Sequence, residues 1–105
     1  ENNSLKHYFD LIITSDEVVD TKPHPEPYLT AAKHFGLDVL ECLAFEDSNT
    51  GITSSLGAGI PTIALPDRVL LDSRRGMKIL NGLQGLSLND LRVIHQELVQ
   101  EWKSI

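Results

Sequence analysis

Short apolar bursts, separated by proline, glycine and acidic residues, set the organisation of this chain. Phe9-Asp10-Leu11-Ile12-Ile13-Thr14 is β-branched and nearly continuously apolar, which predicts a first strand. Ser15 to Thr21 is acidic and reads as a loop. Lys22-Pro23-His24-Pro25-Glu26-Pro27 cannot be helix interior, because each proline restricts the residue before it. Proline is welcome in a first helical turn, so a helix is expected to open near Pro25 or Glu26. Tyr28, Ala32 and Phe35 then recur at helical spacing, and Gly36 supplies the stop. Asp38 can cap one short turn, Val39-Leu40-Glu41-Cys42, which leads into Leu43-Ala44-Phe45-Glu46. Alternating bulk in that run suits a buried parallel strand, and the polar Ser48, Asn49 and Thr50 suit a helix start.

After Gly51 a short helix runs through Ile52, Ser55 and Leu56 to Gly57-Ala58-Gly59. Thr62-Ile63-Ala64-Leu65, bracketed by Pro61 and Pro66, is the third strand. Strand, helix, strand, helix, strand in that order predicts parallel strands joined by right-handed crossovers. Asp67 to Gly76 gives no clear pattern, and a short fourth strand is expected somewhere in Met77 to Leu86. Ser87 with Asp90 three residues on resembles a capping box, and Leu86 with Leu91 a hydrophobic staple. Leu91, Ile94, Leu98 and Trp102 then mark one face of a closing helix.

Composition narrows the function classes. The 105 residues suffice for one domain and one modest core. A net charge of -6 argues against a nucleic-acid partner, since a phosphate backbone rewards the opposite sign. No apolar run approaches the length of a membrane span, so no membrane partner is expected. Cys42 is the single cysteine, which excludes an intrachain disulfide and fits a reducing, cytoplasmic setting. The chain begins at Glu1 rather than Met, so the lack of a signal peptide says nothing about the parent gene.

Candidate chemistry sits where the central strand ends in adjacent carboxylates, Glu46 and Asp47. Ligands of open α/β sheets collect where strands end and helices begin. Two like charges in such a crevice are costly unless a cation offsets them. A Thr-Lys-Pro loop at 21–23, the acidic pair at 46–47 and a turn glycine at 51 follow in one order. A lysine and two carboxylates converging on strand ends make a site for a phosphate and a divalent cation, because hard cations take carboxylate oxygens and keep waters or phosphate as further ligands. Each feature has a bland reading on its own. Lys22 alone is a solvated surface lysine, Glu46-Asp47-Ser48 alone a helix-capping turn, and Gly51 alone a turn glycine. Their combination, with one helix and one strand between Lys22 and Asp47, favours a site. His7, His24, His34 and His95 lack ligand spacing and read as surface histidines, while Cys42 reads as a buried thiol.

Thr21-Lys22-Pro23-His24-Pro25-Glu26-Pro27-Tyr28, then Phe45-Glu46-Asp47-Ser48, then Gly51-Ile52, resembles the haloacid dehalogenase superfamily of phosphohydrolases. The likeness is to the branch holding beta-phosphoglucomutase and similar sugar-phosphate phosphatases. Tyr8-Phe9-Asp10, Thr14 to Val18 and Ala58-Gly59-Ile60-Pro61 match that branch as well, so residues 8–66 are covered closely and the tail loosely. The resemblance implies an α/β, Rossmann-like three-layer sandwich with a parallel sheet, magnesium as cofactor and a small phosphorylated metabolite as partner. It gives Lys22 the role of holding the nucleophile and the transferring phosphoryl group. Asp47 becomes the magnesium-binding acid, Glu46 the neighbouring acid that ligates or supports it, and Ser48 and Asn49 a supporting loop.

The resemblance also implies what this chain lacks. The family's nucleophilic aspartate and the acid-base aspartate two residues on belong to a DxD segment that falls upstream of Glu1, as do the second-motif Ser/Thr and the cap. Asp10, Asp16 and Asp20 cannot substitute, because none sits in a DxD after an apolar strand. Residues 1–105 are therefore expected to be the C-terminal part of a single core domain, an incomplete half that is inactive alone. In the family sheet two strands stand between Phe9–Thr14 and the strand that carries the acidic pair. Without them the two halves would present unpaired ladder edges, so the chain is expected to rearrange its sheet or self-associate. The alternative is a non-catalytic half-domain serving as an interaction or assembly module. A phosphorylation receiver domain is set aside, because its acidic pair precedes its lysine. The choice among phosphatase, mutase and dehalogenase lies in the missing segments.

Overall fold

The computed structural model describes residues 9–14, 24–65 and 73–104. Its elements are strand β1 (Leu11–Thr14), helix α1 (Glu26–His34), strand β2 (Cys42–Glu46), helix α2 (Asn49–Gly57), strands β3 (Thr62–Ala64) and β4 (Met77–Ile79), and helix α3 (Leu88–Lys103). All strand pairs are parallel, and the sheet order is β1-β2-β3-β4. This is the alternating α/β architecture that the chain order predicts, with a Rossmann-like parallel sheet.

Local chemistry accounts for the boundaries. α1 opens after Pro25, with Pro27 in the first turn where its missing N–H costs nothing. Gly36 follows at φ +67°, the left-handed position that favours glycine after a helix. Asp38 and Glu41 form a reciprocal capping box around the single 3-10 turn at Val39–Glu41. Ser87 and Asp90 do the same at the start of α3. Two expectations shift. Phe35 is not on the buried face of α1 but 58% exposed, because the helix ends at His34 and the chain turns off that face. α2 starts at Asn49 rather than after Gly51, so the glycine lies inside its first turn.

Alternation along the strands divides the core into layers. On one face Ile13, Cys42 and Ala44 meet Tyr28 and Ala32 of α1, with Ala58 and Ile60 beside them. Ile52 of α2 packs on Ala64 and Met77. On the other face Leu43, Phe45 and Ile63 meet Ile94 and Leu98 of α3. Burying each such large side chain stabilises by about 1.5–3 kcal/mol, which gives α3 its seat. A hydroxyl pair joins α2 to β3: Ser55 Oγ and Thr62 Oγ1 lie 2.8 Å apart, one donating to the other, and the hydroxyl that accepts in this pair donates to its own backbone carbonyl, that of Ile52 or Ile60.

The sheet closes where a gap is implied. β1 pairs directly with β2 in the register Leu11↔Cys42 to Thr14↔Phe45, so the two edges expected to face each other unpaired are bonded together. His95 departs from the surface reading: it lies on α3 and is 1% exposed. Lys22, the acidic loop before it, His7 and most of the unreadable stretch after Pro66 lie outside the described residues.

Candidate functional site

β2 delivers its last residue and the one after it to the carboxyl end of the sheet, where α2 begins. Glu46 is 1% exposed, and its backbone carbonyl accepts from Leu65 N–H at 2.8 Å, which fixes the strand end against β3. Its side chain lies against the first turn of α2, where a Cβ on Gly51 would sit 2.0 Å from Oε1. Asp47, one residue on, is exposed. The chain then enters α2 through Ser48, whose Oγ accepts from Gly51 N–H at 3.1 Å as the N-cap. Asn49 opens the helix. Ser48 and Asn49 thus form the turn that follows the acidic pair.

Glu46 and Asp47 both line one cavity of about 420 Å³ at the carboxyl ends of the strands. Its other walls are Ile12 and Thr14 of β1, Phe45, Leu65, Leu83 and Leu91. Two of the lining side chains are therefore carboxylates, and the others are apolar apart from the Thr14 hydroxyl. Geometry brings together Glu46, Asp47, Ser48 and Asn49. Lys22 is outside the described residues, although the chain that leaves it is docked: Ser54 Oγ of α2 donates to the carbonyl of His24.

Arg74 is a cation that the sequence did not single out. Its guanidinium donates to Thr53 Oγ1 at 3.0 Å and to the carbonyl of Asn49 at 3.4 Å, over the first turns of α2. It lies in a stretch with no periodicity, so no pattern could have announced it. The apolar wall was also missed: Leu83 and Leu91 come from a loop and a helix far along the chain, and only the fold brings them to Asp47.

The donor set limits what the site can hold. Among the described residues no group of three or more His, Cys, Asp and Glu side chains could hold a metal ion. Two carboxylates alone are too few for a closed calcium cage. They suit a small hard cation that keeps waters or phosphate oxygens as its remaining ligands. Among the described residues no helix is long and apolar enough to cross a membrane.

Comparison with known proteins follows the same line. The sequence profile of the family described as haloacid dehalogenase-like hydrolase matches residues 1–65. YhcW of Bacillus subtilis (strain 168) is 46% identical over 61 residues, covering 58% of this chain and 28% of that protein. The fructose-1-phosphate phosphatase YqaB of Escherichia coli (strain K12) is 36% identical over 59 residues, 56% of this chain and 31% of that protein. The matched part of this chain thus spans about a third or less of these curated relatives. A crystal structure of a HAD hydrolase, family IA, variant 3, from Entamoeba histolytica HM-1:IMSS superposes with a TM-score of 0.63 over 78% of this chain and 39% of that one, at 24% identity. That likeness is one of fold.

Proposed function

The chain belongs to the haloacid dehalogenase-like hydrolases, and from that premise we propose that it is the C-terminal part of a magnesium-dependent phosphohydrolase or phosphomutase. The substrate in this reading is a small phosphorylated metabolite. One observation carries it: Glu46 and Asp47 stand side by side at the carboxyl end of a central parallel strand and face a common cavity. Relatives named as phosphatases, among them YqaB, support the reaction class.

Asp47, exposed at the cavity, would be the principal magnesium ligand, and Glu46, held behind it by α2, would ligate or support it. Bound magnesium would offset phosphoryl charge where a phosphate ester meets the strand ends. Lys22 would hold the phosphoryl group and the nucleophile as a compact positive charge. Ser48 and Asn49 keep the acidic turn in shape. The nucleophilic aspartate, in this reading, lies outside these residues, so the chain alone binds and orients but does not turn over.

The test is a phosphatase assay on an aryl phosphate with the parent protein, its Asp47→Asn variant and the isolated chain. The expected result is magnesium-dependent turnover by the parent alone. Undiminished turnover by Asp47→Asn would remove that carboxylate from the site.

A second reading, a non-catalytic half-domain used for assembly, is favoured by the direct pairing of β1 with β2. The chain builds an unbroken sheet from its own strands. Self-association would then use an outer edge rather than the seam between the halves. A coding sequence with no DxD segment upstream would select this reading.

A further inference from the structure

His95 is a buried ionisable group that the proposed chemistry leaves unused. It projects from α3 and is 1% exposed, with its ring edge-on to Phe9 at 5.4 Å between centroids. Neither ring nitrogen has a hydrogen-bond partner among the described residues. The carbonyls of Leu40 and Cys42 lie close enough to favour a proton there, but neither forms a bond to the ring. A neutral imidazole fits this apolar seat between α3 and the amino ends of β1 and β2. An imidazolium does not, because a buried charge needs a partner.

The surroundings give the charged form somewhere to go. Asp10 precedes β1, and Asp38 and Glu41 flank the 3-10 turn before β2; all three act by charge on Cys42 at that end of the sheet. On α3 itself Arg92 and Glu97 are the nearest charged neighbours in sequence, and both are exposed. Three carboxylates thus lie near Cys42, whose backbone the His95 ring faces. The far end of α3 is tied down separately. Arg75 donates to the carbonyls of Glu101 at 3.1 Å and Trp102 at 2.8 Å and to that of Ser104, and Glu101 accepts from Gly76 N–H. Those bonds make a pivot. One turn before His95, Leu91 forms part of the cavity wall beside Asp47.

We propose that His95 is a proton-operated latch on α3. Neutral, it seats the helix on the sheet; protonated, it lifts the amino-terminal half about the Arg75 clamp and withdraws Leu91 from the cavity. The balance follows linkage: a base that binds its proton more weakly when seated favours release as pH falls below its unfolded value, by up to about tenfold in the opening equilibrium per pH unit. Above that value the latch stays closed.

Hydrogen exchange on the 105-residue chain at pH 7.5 and pH 5.0 tests this, with protection corrected for the intrinsic pH dependence of exchange. Protection of α3 amides should fall by about tenfold or more at pH 5.0, while α2 amides hold. His95→Leu and His95→Phe should abolish the difference, and His34→Gln, at an exposed position, should keep it. Unchanged α3 protection in the wild type, or an equal fall in both His95 variants, overturns the latch. If neither variant folds, ring titration by NMR on the wild type decides. A His95 ring that titrates at or above the ordinary histidine range overturns it, and one that titrates below, in step with α3 exchange, supports it.

Discussion

A Cβ built on Gly51 would lie 2.0 Å from Oε1 of Glu46 and 2.6 Å from its Cδ, so the first turn of α2 and the last residue of β2 interlock. Gly51 is not at positive φ, and its reason is therefore space rather than turn geometry. The missing side chain lets a buried carboxylate stand against the first turn of α2.

Gly51→Ala should for this reason destabilise, although alanine is the better helix former. Propensity gains about 1 kcal/mol, whereas forcing a methyl against a packed carboxylate costs about 1–3 kcal/mol. Urea denaturation should show a lower midpoint for Gly51→Ala, and a neutral or raised midpoint when the same change is made on Glu46→Ala. A single variant stabilised by the full propensity gain of about 1 kcal/mol would mean that Glu46 is not packed against Gly51.

The two carboxylates should separate in their effects. Asp47 is exposed, so Asp47→Asn should shift stability by no more than about 0.5 kcal/mol; if the parent is the proposed magnesium-dependent phosphohydrolase, the same change should lower its turnover by about 100-fold or more. Glu46→Gln changes a buried group and should lower both stability and turnover. Paired melting curves and kinetics check the split, and a large stability loss at Asp47 would argue for a structural role.

Elements whose signal is local were legible in the sequence. Pro25, Asp38, Ser87 and its capping partner Asp90 announce helix boundaries within a few residues, and the structure places them there. The Glu46-Asp47 turn was visible because two carboxylates after an apolar strand need an explanation. What could not be read depends on long-range packing. His95 reads as a surface residue for want of ligand spacing, yet it falls beside Ile94 and Leu98 and is buried. Phe35 fits the helical period of α1, but the helix stops one residue short of it. Leu83 and Arg74 carry no pattern at all.

Gly76 tests the clamp at the other end of α3. It has φ +84°, and a Cβ there would lie 2.6 Å from the Trp102 ring. Gly76→Ala should lose about 1–2 kcal/mol to the left-handed backbone and more to the clash. Arg75, whose guanidinium lies 5.6 Å from the Trp102 ring centroid and bonds the last carbonyls of α3, is exposed. Arg75→Ala should cost about 1 kcal/mol or less. Trp102 fluorescence during denaturation ranks the two, and a larger loss for Arg75→Ala would reverse the assignment of where the clamp's strength lies.

Cys42 offers a prediction whose sign follows from its burial. Its thiol is fully buried at the start of β2, with Asp38, Glu41 and Asp10 nearby, and burial first, then those charges, push its pKa up from 9.0 to about 11. The thiolate is the reactive form, so native Cys42 should resist iodoacetamide at pH 8.5 and react readily once urea unfolds the chain. Linkage adds a stability signature. Between about pH 9 and 11 the native thiol keeps a proton that the unfolded chain releases, so stability should fall as pH rises through that window. Below pH 9 both states are protonated and the contribution is constant. Other groups titrate in the same range, and the comparison with Cys42→Ala isolates the thiol: the variant is less stable at pH 8 because of the smaller side chain, and its alkaline decline is shallower. A native thiol modified at pH 8.5 as fast as in urea, or parallel alkaline curves for the two proteins, would show that Cys42 does not lie in the closed core described here.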